Sequence, residues 1–167
     1  IEAIRMFLAF ASYKKFKVYQ MDVKSAFLYG KVKEEVYVGQ PPGFEDPIHR
    51  DKVYVLNKAL YGLHQAPRQW YEELSTYLIS KGFKRGLVDC TFFTKKTGDD
   101  LLLVQIYVDD IIFGSTNELL CREFETVMQE KFEMSAMGEM QFFLGLQVEQ
   151  RPTGIFIHQT KYVSEVL

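Results

Sequence analysis

An α+β fold, with a mostly antiparallel sheet and helices packed on one face, is what this sequence predicts. Three observations lead there. Strand-like and helix-like runs mix without the regular alternation of βαβ units. No glycine-rich phosphate loop is present, since Gly138 and Gly145 lack the spacing of either nucleotide fingerprint. The chain has 167 residues, 47% apolar and 25% charged, which suits one domain able to bury a core and excludes disordered, collagenous and fibrous classes.

Ile1, Ile4, Leu8 and Ala11 recur at near-helical spacing and predict a first helix ending near Tyr13, before the basic cluster Lys14, Lys15 and Lys17. Phe16, Val18, Tyr19 and Met21 predict a strand that leads to Asp22, followed by a short apolar stretch, Ala26 to Tyr29, closed by Gly30. Residues 31–56 hold two short β-like runs, Glu35 to Val38 and Val53 to Val55, around the breaker Pro41-Pro42-Gly43, which predicts an exposed hairpin. Pro67 suits a first helical turn, and Trp70, Leu74, Tyr77 and Leu78 follow at i, i+4, i+7 and i+8 until Gly82. Val88 to Lys95 predicts a strand, Thr97 to Asp100 a turn, and Leu101 to Val108 a strand apolar on both faces. Ser115 with Glu118 three residues on has the pattern of a capping box for an amphipathic helix reaching about Phe132. Phe142 to Val148 and Ile155 to His158 predict a hairpin around residues 151–154, and Lys161 to Leu167 begins another helix.

The net charge of −2 argues against a stand-alone nucleic-acid binder, which ordinarily carries a basic face. The halves differ: residues 1–60 hold ten Lys and Arg against seven Asp and Glu, whereas 61–167 hold ten against fifteen. An acidic half signals a solvated surface or carboxylates gathered for metal. Apolar runs fall well short of the ~20 residues that span a membrane, and no basic-then-apolar leader opens the chain. Cys90 and Cys121 lack nearby histidine partners, so neither a zinc site nor a disulfide scaffold is expected. Because the chain opens on Ile1 and stops at Leu167 inside a helical run, a piece of a longer protein is expected.

Between Leu101 and Phe113 the only charged residues are Asp109 and Asp110, flanked by Ile106-Tyr107-Val108 and Ile111-Ile112-Phe113, which would bury them or set them at a cavity. An unpaired ionised carboxylate in a dry interior costs on the order of several kcal/mol, and a hard divalent cation such as Mg²⁺ is the simplest compensation. Asp-Asp is also common as a solvated turn, the expectation for Asp99-Asp100 beside Gly98. Asp22, at the end of an apolar strand, is on its own a cap or turn former. If its strand pairs beside the Asp109 hairpin, three carboxylates meet at one sheet edge, the setting for two cations about 3.5–4 Å apart that promote phosphoryl or nucleotidyl transfer.

Five blocks carry a resemblance. They are Gln20-Met21-Asp22-Val23-Lys24-Ser25-Ala26-Phe27-Leu28, Glu35-Val36-Tyr37-Val38 with Gln40-Pro41-Pro42-Gly43-Phe44, Leu60-Tyr61-Gly62-Leu63-His64-Gln65-Ala66-Pro67-Arg68, Tyr107-Val108-Asp109-Asp110 and Phe143-Leu144-Gly145-Leu146. In this order, and over most of the chain, they resemble the reverse transcriptase of copia-type LTR retrotransposons. The resemblance implies a polymerase palm with a partial fingers hairpin: residues 1–30 as the palm start, 31–60 as the fingers-like hairpin, 61–150 as palm and 151–167 as the start of the thumb connection. It implies Asp22, Asp109 and Asp110 as catalytic, metal-binding carboxylates for two Mg²⁺ ions, with Mn²⁺ able to substitute. Phe27 matches the aromatic under the incoming sugar that disfavours a 2′-hydroxyl; Ala26, Ala66, Pro67 and Tyr107 complete the implied nucleotide site. Phe143, Leu144 and Gly145 match the segment that holds the primer end. The implied partners are an RNA or DNA template, a DNA primer and deoxynucleoside triphosphates, and the parent protein is placed in cytoplasmic particles.

One position departs from the copia-type pattern, His64 standing where its members usually carry lysine, whereas Tyr61, where retroviral relatives carry glutamine, fits the copia-type version. The triphosphate-gripping fingers segment is expected before Ile1. Two other functions compete with RNA-directed DNA polymerisation: a folded but non-catalytic retroelement remnant, and a two-metal nuclease, which the lack of a histidine or glutamate beside Asp109-Asp110 disfavours.

Overall fold

The computed structural model describes residues 2–167, and the chain divides into two units, one built from the segments up to Lys24 and from Leu78 onward, the other from Ser25–Tyr77. In the first, α1 (Glu2–Lys14) buries Ile4, Phe7, Leu8 and Ala11, the i, i+3, i+4, i+7 stripe of an amphipathic helix; Ile1, expected in this helix, lies outside the described residues. The helix ends in a Schellman motif, with Lys15 at φ +58°, its N–H bonded to the Ser12 carbonyl (3.2 Å) and that of Phe16 to the Ala11 carbonyl (3.1 Å).

The chain then enters a six-stranded antiparallel sheet of order β4-β5-β6-β7-β1-β8, with β1 (Val18–Val23), β4 (Lys84–Arg85), β5 (Phe92–Thr97), β6 (Asp100–Tyr107), β7 (Asp110–Ser115) and β8 (Met134–Glu139). This is the expected α+β class. The helices, expected on one face, divide between two, because β6 and β7 are apolar on both. Leu103 and Ile112 join the α1 cluster on one side, while Phe113 meets Phe124 of α3 (Glu118–Gln129) on the other, ring centroids 4.9 Å apart. At Gly114 a Cβ would stand 2.7 Å from the Lys17 carbonyl, so only glycine lets the start of β1 lie this close to β7.

A three-stranded sheet of order β11-β10-β9 covers the α1 cluster, with β9 (Phe142–Phe143), β10 (Leu146–Arg151) and β11 (Gly154–His158). Phe143 and Val148 join that cluster, and the Gln150 amide bonds both the N–H (2.8 Å) and the carbonyl (2.7 Å) of Val18, fastening β10 to the start of β1. A short exposed helix, α4 (Thr160–Val166), follows.

The second unit holds a 3₁₀ turn (Ala26–Tyr29), a hairpin of β2 (Tyr37–Val38) with β3 (Tyr54–Val55), and most of α2 (Ala66–Ser80). A Cβ on Gly30 would meet the Gln69 Cβ at 2.9 Å, and Tyr29 packs on Trp70. Among the described residues no helix is long and apolar enough to cross a membrane.

Three local expectations are corrected, and one strand stands where none was expected. Leu87 and Val88 are fully exposed in a tight turn and the strand begins at Phe92, because the Asp89 carbonyl closes the turn by accepting from the Phe92 N–H. The α3 cap is Asn117, whose side chain accepts from the Leu119 N–H at 3.1 Å; Ser115 ends β7 and its hydroxyl oxygen accepts from the Asn117 N–H instead. The run 142–148 is broken at Leu144 (φ +47°) and Gly145 (φ +80°), consecutive positive φ values that make a tight hairpin. β8 was not expected, because Ser135, Ala136 and Gly138 carry no apolar alternation.

Candidate active site

β1 and the β6–β7 hairpin bring Asp22, Asp109 and Asp110 to one edge of the six-stranded sheet. Asp22 stands opposite Asp110 in the β1–β7 register, and Asp110 opposite Tyr107 in the β6–β7 register. Directly opposed residues share a face, with Cα atoms about 4.5–5.5 Å apart, so Asp22, Asp110 and Tyr107 form one row across three strands. Asp109 lies in the two-residue turn, and its carbonyl accepts from the Val23 N–H at 3.0 Å, tying the hairpin tip to the end of β1. Val108, the first residue of that turn, has φ +52°. Positive φ at this position alone is the type II′ requirement, ordinarily met by glycine, and a β-branched residue held there stores about 1–3 kcal/mol of strain.

Asp22 and Asp110 are half-buried, while Asp109 is exposed rather than buried, because the turn carries it past the end of the strands. Burial pushes the Asp22 carboxyl above its ordinary value, the Asp109 charge adds to the rise, and Lys24 offsets part of it. Asp110 is likewise raised by burial, with Asp109 and Asp22 adding to it and the Gln20 hydrogen bond opposing it. No lysine or arginine among the described residues forms an ion pair with any of the three. Nor do three His, Cys, Asp or Glu side chains converge there into a finished metal cage. Mg²⁺ is typically held by one or two carboxylates and completes its shell with water and substrate phosphate, so an open row of unneutralised oxygen donors fits such an ion.

The sequence reading missed the polar residues one step in from this row. Gln20, only 6% exposed, donates from Nε2 to Asp110 Oδ1 at 3.2 Å. Gln105, 2% exposed, donates to Thr91 Oγ1 (2.7 Å) and Asp89 Oδ2 (3.2 Å), while the Thr91 N–H and hydroxyl both donate to Asp89 Oδ1. The available signal was period-2 spacing: Gln20 precedes Asp22, and Gln105 precedes Tyr107, by two residues on a strand.

Tyr107 packs edge-to-face on Phe143, centroids 5.4 Å apart, so the first unit joins a predicted nucleotide-site residue to the predicted primer segment. Phe143 itself is buried, whereas Leu144 is exposed at the turn with Gly145. In the second unit Phe27 stacks on Tyr61, centroids 5.9 Å apart and planes 28° apart, with Tyr61 almost wholly exposed. Ala26 and Ala66 are buried, and Pro67 and His64 are exposed at the start of α2.

The family model for reverse transcriptase (RNA-dependent DNA polymerase) matches residues 1–167. The chain is 36% identical over 165 residues to the retrovirus-related Pol polyprotein from transposon RE2 of Arabidopsis thaliana, covering 99% of this chain and 11% of that protein. It is 34% identical over 168 residues to the corresponding polyprotein of transposon TNT 1-94 of Nicotiana tabacum, covering 99% of this chain and 13% of that protein. With a putative transposon Ty5-1 protein of Saccharomyces cerevisiae the identity is 32% over 134 residues, 80% of this chain and 44% of the relative. The chain thus spans between about a tenth and under half of the length of these relatives.

Proposed function

The chain belongs to the reverse transcriptase (RNA-dependent DNA polymerase) family, in the copia-type branch of retrotransposon Pol polyproteins, and from that premise we propose that it carries the catalytic centre for RNA-directed DNA synthesis, in which a primer 3′-hydroxyl attacks a deoxynucleoside triphosphate. The observation that carries this reading is the register that sets Asp22 opposite Asp110, beside the turn bearing Asp109. These three side chains would hold two divalent ions, Mg²⁺ or Mn²⁺. Such ions lower the pKa of an attacking hydroxyl and neutralise charge on a leaving phosphate.

The remaining work falls to the chain's own residues. The Val108 turn and the bond from Val23 to the Asp109 carbonyl fix the hairpin tip, so that the carboxylates are set before substrate arrives. Tyr107 supplies a half-buried aromatic surface in the same row, its ring steadied by Phe143. The exposed Leu144–Gly145 turn is the part of its segment free to touch a primer strand, since Phe143 is occupied in the core. Phe27, stacked on Tyr61, would supply the flat ring that disfavours a 2′-hydroxyl, and of the matched Ala26, Ala66 and Pro67 only Pro67 is exposed, the two alanines serving behind it. In this reading residues 1–30 and 61–150 form the palm, 31–60 a fingers hairpin and 151–167 the start of the thumb connection.

Primer extension tests it. With an RNA template, a DNA primer, deoxynucleoside triphosphates and Mg²⁺, the chain extends the primer and Asp110→Asn does not. Extension by neither assigns the chain to a folded, non-catalytic role, and extension by both removes Asp110 from the site.

A further inference from the structure

The strand β1 is apolar or aromatic except for Gln20 and the penultimate Asp22, and Gln20 is nearly inaccessible to water. A buried amide is costly unless its polar atoms find partners. Here the amide nitrogen finds one oxygen of a carboxylate, Asp110 Oδ1, at 3.2 Å. The register explains the reach. Gln20 pairs with Ile112 and Asp22 with Asp110, so Gln20 is the diagonal neighbour of Asp110 on the shared face, about 7–8 Å away at Cα, a span a glutamine side chain covers.

The neighbouring strand adds to this. Gln20 pairs with Gly138 of β8 but Met21 pairs with Ala136, leaving Met137 as the extra residue of a bulge whose Gly138 has φ +75°. A bulge sharpens the local twist and re-aims side chains, and this one sits beside Gln20 itself.

We propose that Gln20 is a positioning residue for Asp110: it holds one carboxylate oxygen and thereby fixes the plane in which the other oxygen is presented to a divalent cation. The inference rests on the reading of Asp22, Asp109 and Asp110 as the cation-holding row. A glutamine here does what an arginine or lysine could not, because an amide donor orients the carboxylate without cancelling the charge the cation needs. On the other side of β7, Gln105, which also pairs with Ile112, spends its amide on Asp89 and Thr91, so that among the described residues Gln20 is the side chain bonded to Asp110.

The test is Mn²⁺ titration of the 167-residue chain followed by electron paramagnetic resonance, with thermal melting in parallel. Gln20→Met keeps the length and volume of the side chain but cannot donate. The expected result is a melting temperature within a few degrees of the unsubstituted chain together with Mn²⁺ binding weakened about 10-fold, the low end for losing a partner of a metal ligand. Asp110→Asn serves as the reference and is expected to weaken binding further. Unchanged Mn²⁺ affinity in Gln20→Met, with loss in Asp110→Asn, overturns the role of Gln20 and leaves the carboxylate site standing. Unchanged affinity in both variants, or no binding by the unsubstituted chain, overturns the carboxylate site and the role of Gln20 with it.

Discussion

Two pairs of adjacent aspartates sit at opposite ends of β6, each at a two-residue hairpin turn, and their surroundings differ in three ways. At the β5–β6 end Thr97 pairs with Asp100 across Gly98 and Asp99; at the β6–β7 end Tyr107 pairs with Asp110 across Val108 and Asp109. Gly98 takes φ +61° without steric cost, whereas Val108 takes φ +52° against its branched side chain. Asp100 is satisfied by two neutral donors, the Thr116 hydroxyl (2.9 Å) and the Asn117 amide (3.0 Å). Among the described residues Asp110 has one such donor, Gln20, and it faces the carboxylates of Asp22 and Asp109. The same dipeptide is therefore a settled turn at one end and a strained acid cluster, only partly compensated by Lys24 and Gln20, at the other. Sites kept for ligands are where such unfavourable arrangements persist.

Metal-dependent behaviour should separate the two turns most strongly. Asp110→Asn is expected to reduce Mn²⁺ affinity by more than about 100-fold, beyond what loss of a mere partner of a ligand costs, while Asp100→Asn stays within a factor of about two; calorimetric titration of both variants measures it. Next comes an exchange of the turn residues. Gly98→Val meets no atom within 4 Å of the new Cβ, so its expected cost of about 1–2 kcal/mol is backbone strain alone, read as a lower urea midpoint. Val108→Gly relieves the opposite turn and is expected to stabilise the chain by about 0.5–1 kcal/mol, part of the strain relief being offset by the freedom glycine adds to the unfolded state. A stabilisation from Gly98→Val, or a loss from Val108→Gly, would break the comparison.

The smallest effect is one of pH. Burial and neighbouring acids raise the Asp22 and Asp110 carboxyls, so the stability these groups contribute is fully present below their ordinary pKa, and is lost as pH rises through the raised folded values. Without metal, Asp110→Asn is therefore expected to melt at a higher temperature than the unsubstituted chain at pH 7, and the gap closes near pH 3. Differential scanning calorimetry at the two pH values reads it directly.

Much of this was visible in the residues, and what was hidden has a physical reason. The β6–β7 hairpin declares itself because two acids interrupt an apolar run, and α2 because Trp70, Leu74 and Leu78 keep helical spacing behind Pro67. β8 stays silent because it borders the sheet, and its small, partly exposed residues are ordered by pairing with β1 rather than by their own pattern. The cap of α3 was misplaced by two residues because Ser115 and Asn117 offer the same chemistry, and only the length of β7 decides between them. Within the site the carboxylates announce themselves by charge. Gln20 and Gln105 do not, because a neutral amide in a strand takes its meaning from the register that selects its neighbour.

Divalent cations are expected to gather at the Asp22–Asp109–Asp110 edge and not at the other Asp-Asp turn. The two ends of the eight-residue β6 are about 25 Å apart, far enough for a paramagnetic ion to mark one and spare the other. In a ¹⁵N–¹H spectrum with substoichiometric Mn²⁺, the amides of residues 21–23 and 107–111 are expected to broaden first while those of 97–101 stay sharp. Broadening centred on residues 97–101, or spread evenly over the acidic surface, would contradict it.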